Sequence, residues 1–118
     1  MSPPSLLVVS PDSLTAALIG TLLEPSDYAV VFPRPDQPLL DEIARAKPDL
    51  VLVDVEHPAV RSRSLFDGIR SAGARAAVFG RESEVPLPTV GPGVDRFALP
   101  VGRGELESIL RRVMSLEP

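Results

Sequence analysis

Between two prolines the chain reads Pro48-Asp49-Leu50-Val51-Leu52-Val53-Asp54-Val55-Glu56-His57-Pro58, an apolar run that ends on a carboxylate. Side chains alternate across a strand, so the uninterrupted Leu50 to Val53 stretch does not suit a strand wetted on one face. It suits a strand covered on both faces, as in a parallel sheet. Parallel neighbours need crossover connections, so this run also calls for helices before and after it. Functional groups in open parallel sheets lie at the carboxyl ends of strands, beside the point where strand order reverses. Asp54 holds that position, and Pro58 forces a turn just beyond it.

The rest of the chain supplies the helices and further strands. Leu6 to Val9 is a short apolar strand, after which Ser10 can cap a helix starting near Pro11. Leu14, Ala17, Leu18 and Leu22 recur at helical spacing up to Pro25, which ends the element. Tyr28 to Phe32 reads as a strand, and Pro38 to Ala46 as a helix with Leu39, Leu40, Ile43 and Ala44 inward. After the Leu50 to Val55 strand, Ser64 to Ala72 reads as a helix that buries Leu65, Phe66 and Ile69 and stops at Gly73. Ala76 to Phe79 and Val94 to Leu99 are strands. Between them Pro86, Pro88, Pro92, Gly91 and Gly93 oppose a regular helix, so the connection is expected to be short of helix or a loop. Gly104 to Leu116 closes the chain as a helix with Leu106, Ile109, Leu110, Val113 and Met114 on one face. The alternation specifies a doubly wound α/β domain with a five-stranded parallel sheet, one domain over residues 1–118.

Composition narrows the function classes. Hydrophobic residues make up 44% and charged residues 24%, which fits an ordinary globular protein, and no apolar run approaches the roughly 20 residues that span a bilayer. No basic segment precedes the first apolar strand, so a cytoplasmic location without membrane attachment is expected. The absence of cysteine removes thiolate nucleophiles and zinc-thiolate sites. A net charge of −4, with basic residues no denser than pairs such as Arg61/Arg63 and Arg111/Arg112, argues against direct nucleic-acid binding. Lys47 is the single lysine among twelve basic residues. No glycine-rich phosphate loop, Ser-His-Asp set or spaced carboxylate pair supports an enzyme.

The Leu50 to Asp54 run with Pro58 resembles the phospho-acceptor strand of bacterial response-regulator receiver domains, with His57 where that family has Met. The resemblance covers nearly the whole chain and implies the flavodoxin-like (CheY-like) strand order 2-1-3-4-5. It implies a phospho-acceptor at Asp54 in a two-component phosphorelay. It also implies a magnesium-binding acidic pair after the first strand, a hydroxyl ending the fourth strand and a lysine ending the fifth. Those positions fall on Ser10 and Pro11, on Gly80, and on Leu99, so only Asp54 of the family's site remains. Asp12 and Arg81 are the nearest substitutes, Asp12 being more simply a first-turn helix acid and Arg81 a solvent-facing loop residue. His57, near Asp54 and Glu56, reads as an exposed residue rather than a metal ligand.

The resemblance therefore implies a pseudo-receiver: a signal-transduction module that binds a protein partner, such as an output domain, a histidine kinase or another regulator. It needs no cofactor and has no catalytic residue. A second reading keeps Asp54 phosphorylatable, with Mg²⁺ in an atypical shell. A third, of another class, is a small-ligand-binding flavodoxin-like protein that uses the crevice between the first and third strands. The residues name neither the partner nor the oligomeric state.

Overall fold

The computed structural model describes residues 4–24, 28–34, 36–58, 63–81, 95–99 and 103–115. In chain order the elements are β1 (Ser5–Val9), α1 (Ser13–Leu23), β2 (Ala29–Val31), α2 (Leu39–Ala46), β3 (Leu50–Asp54), α3 (Arg63–Ser71), β4 (Arg75–Arg81), β5 (Asp95–Leu99) and α4 (Arg103–Ser115). The strands form one sheet in the order β2-β1-β3-β4-β5, and every pairing is parallel. This is the expected doubly wound order. The Pro- and Gly-rich connection before β5 lies outside the described residues. No helix among the described residues is long and apolar enough to cross a membrane.

Every residue of β3 is buried, as the unbroken apolar run requires. Its side chains divide by parity between two cores. Leu50 and Leu52 join Leu6, Val8 and Phe79 under Ile19 and Leu23 of α1 and Leu106 and Leu110 of α4. Val51 and Val53 join Leu7, Val9 and Val78 under Ile43 of α2 and Leu65, Phe66 and Ile69 of α3. Full burial of each such side chain stabilises by about 1.5–3 kcal/mol, so β3 is the seam that ties both layers together.

The helix boundaries follow local chemistry, with one correction at α1. Its cap is Asp12 rather than Ser10: the Asp12 Oδ1 accepts from the Leu14 N–H at 3.0 Å, and the helix starts at Ser13. The buried face also differs from the expected one. Ile19 and Leu23 are buried, with Ala16 and Leu22 packed at the margin, whereas Leu14 and Leu18 are 80% and 46% exposed and Ala17 is exposed. The helix carries apolar residues almost all round, so spacing alone does not choose a face.

In α2, Ile43 is buried and Leu39 packs at the core margin, but Leu40 is 43% exposed and Ala44 is exposed. Glu42 is buried in their place. The Arg34 Nη2 reaches its Oε2 at 2.8 Å and the Arg45 Nη2 its Oε1 at 3.0 Å, and the Arg34 backbone N–H donates to Oε1 at 2.8 Å. A buried carboxylate is tolerated when it is paired and its lone pairs are filled. This one clamps the segment after β2 onto α2. The ends of α2 and α3 use left-handed residues, Lys47 at φ 47° and Gly73 at φ 78°. The latter is the stop anticipated at Gly73. In α4, Leu106 and Leu110 are buried and Ile109 lies at the core margin, while the side chains of Val113 and Met114 lie outside the described residues.

Candidate functional site

The register of the central strands builds the site. Val9 of β1 pairs with Val53 of β3, so Ser10, just past β1, and Asp54, the last residue of β3, come side by side at the carboxyl edge of the sheet. The Ser10 Oγ donates to the Asp54 Oδ2 at 2.6 Å, a length typical of a charge-assisted O–H···O⁻ bond. On its other side Ser10 Oγ accepts the Asp12 N–H at 3.1 Å. The Glu56 N–H donates to the Asp54 Oδ1 at 2.9 Å. Among the described residues each carboxylate oxygen of buried Asp54 takes one hydrogen bond, from an uncharged group.

Asp12 does not turn toward Asp54. Its Oδ1 caps Leu14, and its Oδ2 accepts from the Thr15 Oγ1 at 2.9 Å, so both oxygens serve the first turn of α1. Pro11 is exposed and brings no ligand atom. Gly80 lies buried near the end of β4, one residue beyond Phe79, which is paired with Asp54. Leu99 ends β5 opposite Arg81, and β4 separates it from β3. The side chains of Leu99 and Arg81 lie outside the described residues. His57 is half-buried rather than exposed; its N–H donates to the Asp54 carbonyl at 2.9 Å and closes the turn after β3. Among the described residues no group of three or more His, Cys, Asp or Glu could hold a metal ion.

Two features escaped the sequence reading. One is the Arg34–Glu42–Arg45 cluster, for which the only advance sign was an acid with an arginine three positions on. Glu42's carboxyl is held well below the usual carboxylate range by the Arg45 guanidinium, then by the Arg34 side chain and backbone N–H, against the opposing effect of burial. The other is a crevice beside Ser10, between α1 and the segment that joins β2 to α2. Its walls come from distant parts of the chain, and no local pattern announces it.

No protein-family model and no curated protein sequence matches this chain. Solved structures do match it in fold. A response regulator from Thermotoga maritima superposes with a TM-score of 0.77 at 24% identity, covering 97% of this chain and 99% of that one. The N-terminal signal receiver domain of a two-component response regulator from Bacteroides fragilis gives 0.77 at 17%, covering 98% and 100%. The receiver domain of a sensor histidine kinase from Pseudomonas aeruginosa gives 0.73 at 19%, covering 97% and 99%; its structure has a magnesium ion coordinated in the active-site cleft. The fold of this chain is therefore that of receiver domains.

Proposed function

We propose that this chain, built on the receiver fold, is a signalling module that binds a protein partner in its unmodified form and does not switch through Mg²⁺-dependent phosphorylation of Asp54. The observation that carries this reading is the Ser10 hydroxyl on Asp54 at 2.6 Å, where the family's metal-binding acidic pair falls. Magnesium dehydrates reluctantly and is usually held by one or two carboxylates together with waters. Ser10 and Pro11 add none to Asp54. A phosphoryl group approaching the carboxylate meets like charge, about 4 kcal/mol at 4 Å for an effective dielectric near 20. Gly80 contributes no hydroxyl, and Leu99 no cation, to offset it. The proposed partner is an output domain, a histidine kinase or another regulator, and the module performs no turnover of its own.

The test is amide NMR with Mg²⁺ and beryllofluoride, or acetyl phosphate, using Asp54→Asn as control. We expect no saturable shifts around Asp54 at submillimolar Mg²⁺. Shifts that saturate there and vanish in the control would replace this reading with that of an active receiver. The double variant Ser10→Asp/Pro11→Asp restores two carboxylates beside Asp54, and it is expected to gain Mg²⁺ affinity by about tenfold or more. An unchanged affinity would mean that the missing acids are not what limits the site.

A further inference from the structure

The crevice beside Ser10 has a volume of about 470 Å³, within the roughly 300–1,000 Å³ of small-molecule sites. It opens at the carboxyl edge of the sheet on the β2 side of β1, the edge at which ligands of open α/β sheets bind. Ala17 of α1, Phe32, Pro33 and Leu39 supply apolar walls. The Phe32 ring lies against α1 at Gly20, where a Cβ would come within 3.1 Å of its Cζ, so this wall is packed in place although Phe32 is 47% exposed to the crevice and solvent. Polar groups are few: Ser10, Ser13, Gln37, His57 and Arg34.

Among the described residues that line the crevice none is a carboxylate, and Arg34 is the permanently charged one. Arg34 shares the single carboxylate of Glu42 with Arg45, so two guanidiniums face one acid and the cluster keeps a net charge of +1. Arg34 is thereby held in position, with its charge only partly offset because Glu42 also serves Arg45.

We propose that this crevice is a binding site for a small molecule with a flat aromatic body and one anionic group, the body lying between Ala17 and Phe32 and the anion toward Arg34. This is independent of whether Asp54 is phosphorylated. A fused aromatic sulfonate supplies the right chemistry as a probe, and its uncharged counterpart isolates the contribution of the anion.

The experiment titrates the folded protein with 1-anilinonaphthalene-8-sulfonate and, separately, with neutral N-phenyl-1-naphthylamine, following fluorescence and amide NMR shifts. We expect one saturable site, with the anionic probe bound about tenfold more tightly than the neutral one. Shifts should centre on Ala17, Phe32, Arg34 and Gln37. Ala17→Phe, at an exposed helix position, should fill the crevice and weaken binding at least tenfold while the rest of the amide spectrum stays folded. Shifts centred instead on the exposed Leu14 and Leu18 face, equal binding by both probes, or unchanged affinity in Ala17→Phe would overturn the proposal. Should Ala17→Phe fail to fold, the location of the wild-type shifts and the comparison of the two probes still decide it.

Discussion

Replacing Phe79 with alanine is expected to lower stability by about 3–5 kcal/mol, the largest effect of any single change considered for this chain. Phe79 is fully buried in β4, and its ring fills the layer between the sheet and helices α1 and α4. Ile19, Leu23, Leu106 and Leu110 close over it from two separate helices, so collapse into the gap would require both to move. A domain of this size has roughly 5–15 kcal/mol in total, so the variant loses about a fifth of it or more. Urea unfolding followed by circular dichroism measures this directly, as a lower midpoint at an unchanged slope. A loss below about 1 kcal/mol would mean that the helices do reseat and that this layer is softer than its packing indicates.

Glu42→Gln is the second large effect, and its signature is in the pH dependence. At pH 7 the variant leaves two guanidiniums competing for an uncharged amide in a buried position, and a melting temperature about 5–10 °C lower is expected. The folded carboxyl titrates below its unfolded value near 4.3, because Arg45 and then Arg34 hold it ionised. Its contribution is therefore fully present above that value and is lost as pH falls from there toward the folded one. Thermal melts of both proteins between pH 7 and pH 3 should show the gap between them constant down to about pH 5 and narrowing below it. A gap as wide at pH 3 as at pH 7 would place the effect in packing rather than in charge.

How far the sequence could be read depended on whether a residue's role was fixed locally. The β3 run was legible because four apolar residues in succession leave one physical option, coverage on both faces, and the buried strand has that coverage. Gly73 was legible because a left-handed helix stop favours glycine, and its φ of 78° is of that kind. The neighbourhood of Ser10 and Asp54 followed from placing β1 next to β3, which fixes two residues at one edge without any side-chain detail. The face of α1 was not legible, since seven apolar residues from Leu14 to Leu23 surround the helix and leave the choice to tertiary packing. The role of Glu42 was not legible, because Arg34 reaches it only once the segment after β2 has folded back. The crevice was hidden for the same reason, its walls being separated by up to 49 positions, from Val8 to His57.

The bond between Ser10 and Asp54 links two groups of the same polypeptide. It forms when the chain folds and needs no bound ion or added group to complete it. Under the function proposed above, such a module has no chemical on and off state to be written or erased. Its output follows the number of copies present, and control over it passes from enzymes acting on the protein to its rates of synthesis and degradation.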